Sequence, residues 1–419
     1  MLRPGQGVVL ATLALLIVGV VMVNSVWLAR SVGESAAALA EDPAAGPITA
    51  ASLLWGRPTL YAVLAVLALA AGALMPLRVF EGRRGDGASG ESAAGDPSTV
   101  AIAILAATML VLLLAVYLPG VGKEVNGASR WVEIGAFNFQ PSEIAKWAMP
   151  LLVAWWCVRV GPRICEFRRG FLPPMFALLL VSGIVGVEDL GTAVLILAVG
   201  VVVLAIAGVR IRHLALLVPV GGAAVAAAIL HSPYRVQRLL AWRDPFEDPQ
   251  GIGYHIIQSL SAIAGGGVAG RGLGQGVQKF GYLPEATTDF VFAIVCEELG
   301  LAGAALVIAL LVALLWSGLA IIAPSDPRLR PPTFRRLLGL GILLTIGFQA
   351  LMNVTVVTGL APTKGIALPL VSHGGTGWVL TAFSLGILIS IERAAIGHVA
   401  ARCSEVESAG DATLVDAVA

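Results

Sequence analysis

Ten apolar runs, each long enough to cross roughly 30 Å of hydrocarbon, occupy about 8–29, 58–80, 99–118, 142–160, 171–188, 191–209, 214–231, 290–323, 337–358 and 376–392 of this 419-residue chain. A backbone that crosses lipid must satisfy its own hydrogen bonds, so these runs predict an all-α polytopic membrane protein. Composition agrees: 58% of residues are hydrophobic and 13% charged, where a soluble domain carries about a quarter charged. With a net charge of +1, no nucleic-acid partner is expected. Residues 1–396 are read as one transmembrane domain and 397–419 as a disordered tail. The small-residue stretch from Gly82 to Ser98 is expected to be disordered too.

The basic residues are sorted by side. With the N-terminus inside, one face receives Arg3, Arg78, Arg83, Arg84, Arg159, Arg163, Arg168, Arg169, Arg210, Arg212, Arg328, Arg330, Arg335, Arg336, Arg393 and Arg402. The opposite short loops hold Arg30, Arg57, Lys123, Arg130 and Lys364. Because short basic loops stay in the cytoplasm, both termini are expected there. Ala38-Leu39-Ala40 looks like a cleavage site, but the first apolar run is too long and too distant for a signal peptide.

Cys157, Cys165, Cys296 and Cys403 lack Cys-x-x-Cys spacing, and none falls in an outer loop, so neither a disulfide framework nor a zinc site is expected. The five histidines are scattered. That leaves a metal held partly by substrate phosphates as the form a metal site could take.

Between the seventh and eighth runs, about 232–289, lies the longest connection, placed outside by the topology. A connection this long usually binds something or folds over a site. It carries Arg235, Arg238, Arg243, Arg271 and Lys279 where cations are disfavoured. These either meet an anionic ligand such as a phosphate, which guanidinium groups grip with paired hydrogen bonds, or pair with Asp244, Glu247, Asp248, Glu285 and lipid headgroups. The glycine run from Gly265 to Gly276 follows no predicted strand, which argues against a nucleotide loop. Flexible turns, or close approach of backbone to a ligand, suit it better. The connection ends at Asp289, a carboxylate at the mouth of a membrane helix, where ionised groups usually have a task.

Charge also enters the spans. Gln140-Pro-Ser-Glu143-Ile-Ala-Lys146 opens the fourth, with Glu143 and Lys146 on one helix face. Asp189 stands between the fifth and sixth. Either Lys146 lies between Glu143 and Asp189 and neutralises both, or the three act directly on substrate or a cation. Lys364 is the one basic residue in the loop between the last two spans, fit to contact an anion or to anchor at the headgroups. Asn353-Val-Thr355 fits a glycosylation sequon, but lies inside an apolar run and is set aside.

Several blocks together resemble the SEDS family of bacterial cell-wall synthesis (FtsW, RodA, SpoVE). They are Asn126-Gly-Ala-Ser-Arg-Trp131, Gln140 to Lys146, Asp189-Leu-Gly-Thr192, Gly253-Tyr254 with Gln258-Ser-Leu260, Gly274 to Phe280, Tyr282-Leu-Pro-Glu285 with Thr288-Asp289-Phe290, Glu297-Glu298-Leu-Gly300, and Pro362-Thr-Lys-Gly365 with Leu368-Pro369 and Ser372. They occur in the family's order, and the details of 277–286 and 258–260 are closer to the FtsW branch.

The resemblance implies an inverting peptidoglycan glycosyltransferase of the bacterial cytoplasmic membrane, acting in cell division. It would polymerise lipid II, a disaccharide-pentapeptide on undecaprenyl pyrophosphate, at the outer face. The resemblance makes Asp289 the catalytic residue, with Arg130, Trp131, Arg235, Arg238, Gln258, Lys279, Glu285, Lys364 and Ser372 as candidates for substrate binding, and Glu143, Lys146 and Asp189 as an intramembrane charge cluster. No soluble cofactor is implied, though a divalent cation such as Mg or Mn could assist. Expected partners are a class B penicillin-binding transpeptidase and other divisome or elongasome membrane proteins. A lipid II flippase or a non-catalytic division scaffold are the competing readings. Thr287, Glu188, His373 and Thr376 stand where the family usually carries histidine, proline, tyrosine and serine.

Overall fold

The computed structural model describes residues 3–41, 56–81, 96–119, 121–125, 128–134, 137–323, 333–373 and 375–396. The tail 397–419 and most of the stretch from Gly82 to Ser98 lie outside them, as does Cys403. The long helices are α1 (Pro4–Glu41), α2 (Arg57–Leu74), α3 (Pro97–Ala115), α4 (Pro141–Val160), α5 (Leu172–Glu188) and α6 (Leu190–Ala207). There follow α7 (Ile211–Ala215), α8 (Leu217–Leu230), α9 (Pro233–Arg243), α10 (Tyr254–Gly266), α11 (Val291–Ile322), α12 (Phe334–Val357) and α13 (Thr376–Ile396).

Local chemistry sets the starts. Pro58, Pro97 and Pro141 occupy first-turn positions, where a missing N–H costs nothing. Asp96, Asp189 and Thr333 cap α3, α6 and α12 by accepting from Ser98 N, Thr192 N and Arg336 N.

Nine helices among the described residues are long and apolar enough to cross a membrane. The predicted run 142–160 is not one of them by composition, because α4 carries Glu143, Lys146 and Arg159. It is nonetheless a 20-residue helix, packed against α6, α12 and α3. A charged helix can sit there because its ion pair is satisfied inside the bundle.

The interior is built by α4, α6 and α12, with α1 lying along α11. By contrast α8 has no buried residue and packs chiefly against its chain neighbours α7 and α9. Its apolar surface is what a helix facing lipid needs.

Two connections contain secondary structure of their own. The loop between α3 and α4 folds into a three-stranded antiparallel sheet, β1 (Gly122–Val125), β2 (Ala128–Ile134) and β3 (Phe137–Phe139). Gly122 pairs with Val132 and Val132 with Phe139. The connection 232–289 is also largely ordered, since it contains α9 and α10.

The glycine run docks on α11. At Gly300 that helix breaks, with φ 65° and ψ −161°. Freed backbone groups there bond to the run: Arg271 N donates to Glu297 O, Gly272 N to Glu298 O and Leu301 N to Gly267 O. A Cβ on Gly270 would lie 2.2 Å from Glu298 O, so only glycine permits this approach.

Candidate active site

Asp289 closes a series of turns immediately before α11. Glu285 adopts φ 52°, a left-handed conformation unusual for a side-chain-bearing residue. Its carbonyl accepts from Thr288 N and Phe290 N, and its carboxylate from Thr288 Oγ1 at 2.8 Å. The loop thus folds on itself and brings two carboxylates to one spot. Strain of this sort persists only where the surroundings enforce it, and it gathers at functional sites.

The Asp289 side chain is partly buried. Among the described residues no donor hydrogen-bonds its carboxylate. Burial, followed by the charges of Glu285 and Asp189, pushes its pKa up to about 7, while Arg238 and Arg130 pull the other way. A carboxyl balanced in this range can take and return a proton near neutral pH.

Arg238 and Arg130 bear on it electrostatically without forming an ion pair with it among the described residues. A Cβ built on Gly365 would lie 3.1 Å from Asp289 Oδ2 and 3.9 Å from Arg130 Nη1, so the two charges flank that glycine. Arg130, on β2, donates Nη2 to Glu188 O at 2.5 Å, and its buried Nε has no partner among the described residues. Arg238 donates to Thr363 O at 3.1 Å and to the Tyr234 hydroxyl. Arg235 donates to three main-chain carbonyls, Ala228 O, Gly186 O and Val187 O. Among the described residues neither Arg235 nor Arg238 is held in an ion pair with Asp244, Glu247, Asp248 or Glu285; each donates to main-chain carbonyls instead. Lys364 is partly buried, and burial lowers its pKa, a tendency that Asp189 opposes.

Three sequence expectations change. Lys146 does not bridge Glu143 and Asp189. It sits 2.7 Å from both oxygens of Glu143 and 2.8 Å from Gln349 Oε1. Asp189 instead spends both oxygens on the first turn of its own helix, accepting Thr192 N at 3.0 Å and Thr192 Oγ1 at 2.7 Å. The cluster is therefore two separate stations.

Lys279 leaves the substrate-facing set. It is 2% exposed and lies 2.7 Å from Glu298 Oε1 and 2.9 Å from Ser25 Oγ. Beside it Glu297 accepts Val277 N and Gln278 N and pairs with Arg271 at 3.4 Å. These acids anchor the glycine run.

Ser372 is likewise turned inward. Its Oγ accepts Leu368 N at 2.8 Å, and its carbonyl accepts Trp378 Nε1. Trp131 pairs with Lys123 in the sheet and is partly buried, and Gln258 is partly exposed on α10.

Sequence reading passed over several contributors. Asn353 Nδ2 donates to Asp289 O and Ile366 O, and Gln349 Nε2 to Ala367 O. An amide inside an apolar run was the available signal. His255 stacks on Phe290 with ring centroids 5.9 Å apart. Two departures from the family pattern meet directly, since His373 N donates to Thr287 O at 2.8 Å. A small cavity beside Arg130 is lined by Tyr117, Ser142, Glu188 and Asp189 among others. Among the described residues no group of three or more His, Cys, Asp or Glu is arranged to hold a metal ion.

Such a helix bundle, with a half-buried carboxylate set among cations at one end, defines a polytopic membrane protein with an anion-tolerant polar site. The family model described as "Cell cycle protein" (FtsW, RodA, SpoVE) matches residues 97–396, and the chain belongs to that family. Stage V sporulation protein E of Bacillus subtilis (strain 168) is 40% identical over 285 residues, 67% of this chain and 76% of that protein. A probable peptidoglycan glycosyltransferase FtsW of Geobacter metallireducens is 40% identical over 284 residues, 67% of this chain and 74% of its own.

Among solved structures, one chain comes from work on the structural coordination of polymerization and crosslinking by a peptidoglycan synthase complex. It is 27% identical with a TM-score of 0.68, covering 93% of this chain and 97% of that one. The rod shape determining protein RodA of Thermus thermophilus, 24% identical with a TM-score of 0.60 over 92% of this chain and 96% of its own, shares the fold.

Proposed function

We propose that this chain is a peptidoglycan glycosyltransferase that polymerises lipid II at the outer face of the bacterial cytoplasmic membrane, both termini lying inside. The supporting observation is Asp289: a partly buried carboxylate with its pKa raised to about 7, flanked by arginines that do not quench it. Membership in the family, and relatives named as probable peptidoglycan glycosyltransferases, point the same way.

The ionised Asp289 carboxylate takes the proton of the acceptor sugar's 4-hydroxyl as that oxygen attacks the donor's anomeric carbon. The bond to the undecaprenyl pyrophosphate breaks in the same displacement. An α-linked donor gives a β-linked product, so inversion needs one base and a direct attack. Negative charge develops on the departing pyrophosphate. Arg130, Arg238 and Lys364 lie around the site to stabilise it, and Arg235 holds the outer ends of α5 and α8 to α9.

The partner we infer is a class B penicillin-binding transpeptidase, because a fold relative belongs to a complex in which polymerization is coordinated with crosslinking. Purified Asp289→Asn protein, assayed with its partner and purified lipid II, tests the reading. Loss of glycan polymer with intact folding is expected; wild-type polymer yield would remove Asp289 from the reaction. Lipid II translocation without polymer by the wild-type protein would favour a flippase.

A further inference from the structure

We propose that Asn353 is a positioning residue that sets the reach of Asp289, an inference that rests on Asp289 being the base. Asn353 lies on α12 and is 1% exposed. Its Nδ2 lies 2.7 Å from the main-chain oxygen of Asp289 and 2.7 Å from that of Ile366. The amide can face only one way, because the reverse would aim Oδ1 at two carbonyl oxygens.

One turn earlier, Gln349 repeats the pattern. Its Nε2 lies 2.7 Å from Ala367 O, while its Oε1 accepts from Lys146. Residues four apart share a helix face. Two successive carbonyls of the 366–367 segment therefore hang from two successive amides of one rigid helix, and the second amide is itself fixed by the Glu143–Lys146 pair.

That segment begins beside Gly365, the surface against which the Asp289 carboxylate rests. A methyl group at Gly365 would come within 3.1 Å of Oδ2. Asn353 thus ties the backbone of the base to the backbone of its platform. Relaxing the tie lets the carboxylate shift relative to the acceptor hydroxyl, and displacements of about 1 Å are enough to cost on the order of a hundredfold in rate. In this arrangement the partly buried Glu143–Lys146 pair needs no chemistry of its own: it holds Gln349, which holds the platform.

The experiment measures lipid II polymerisation by the full chain with its partner transpeptidase, comparing Asn353→Ala, Asn353→Asp, Gly365→Ala and Asp289→Asn. For Asn353→Ala, kcat is expected to fall roughly tenfold to a hundredfold with KM for lipid II within about twofold, since remote positioning acts on the transition state. Asn353→Asp falls further, because a carboxylate facing two carbonyl oxygens repels the turn that carries the base. Gly365→Ala, which crowds Oδ2 without touching Asn353, lowers kcat from the other side and decides the matter if the Asn353 variants do not fold.

A folded Asn353→Ala with kcat within about threefold of wild type, or with the loss appearing in KM alone, overturns the inference. So does a folded Gly365→Ala with wild-type kcat. If Asp289→Asn keeps wild-type rate, the base assignment itself fails. If Asp289→Asn is inactive while folded Asn353→Ala is not impaired, only the positioning role is lost.

Discussion

Glu298 and Asp289 are both acids withdrawn from water on either side of the same helix start, yet their surroundings differ in kind. Glu298 is fully buried, accepts from Ser25 and Gly274 N, and lies 2.7 Å from Lys279. Asp289 is partly buried and has no hydrogen-bond donor on its carboxylate among the described residues, and its nearby arginines spend hydrogen bonds on main-chain carbonyls. A closed station of the first kind holds shape. An open one of the second kind keeps a proton affinity that chemistry can use.

The largest expected effect separates the two by activity. Removing a general base typically costs about 10²–10⁴-fold, so Asp289→Asn should lose polymerisation by that order. Its folding should not suffer. A carboxyl with a raised pKa adds stability in its protonated form, which is lost as pH rises through about 7. A neutral amide escapes that loss, and thermal unfolding at pH 8 should show a midpoint no lower than wild type.

The complementary substitution is Lys279→Met. It leaves Glu298 buried without its countercharge, and breaking such a pair costs about 3–5 kcal/mol. The expected readout is a fall in the unfolding midpoint of detergent-solubilised protein. A stable Lys279→Met protein that has lost only polymerisation would return Lys279 to the substrate-binding set.

The difference between the stations was only partly legible in the residues. Membrane architecture was readable because apolar run length is a direct physical requirement of the bilayer. Asp289 stood out because a carboxylate at a span's mouth must be maintained against desolvation. Lys279, Arg235 and Arg238 looked alike, three cations in one connection. What divides them is tertiary: Lys279 points back to α1 and α11, while the two arginines reach toward α5 and the 363 segment. The sheet between α3 and α4 escaped notice because its strands are short and its pairing is nonlocal. Asn353 was visible as a polar intruder in an apolar run but was read against a sequon instead of being asked where its hydrogen bonds go.

Two smaller effects sharpen the comparison. Arg238→Ala should reduce polymerisation by roughly tenfold, as expected for a cation that stabilises developing charge in company with others, and should move the rising limb of the pH profile upward. Lipid II titrations that separate kcat from KM would check the first part. Glu285→Gln removes the like charge second only to burial in raising the Asp289 pKa. Its midpoint should move to lower pH by less than about one unit.

The most direct measurement is the pH dependence of lipid II polymerisation by the wild-type chain with its partner, over pH 5 to 9, beside Glu285→Gln. If ionised Asp289 is the base, the rate rises with pH through a midpoint near 7 and the variant's midpoint lies lower. A rate independent of pH across that range, or a midpoint that Glu285→Gln leaves in place, would contradict it.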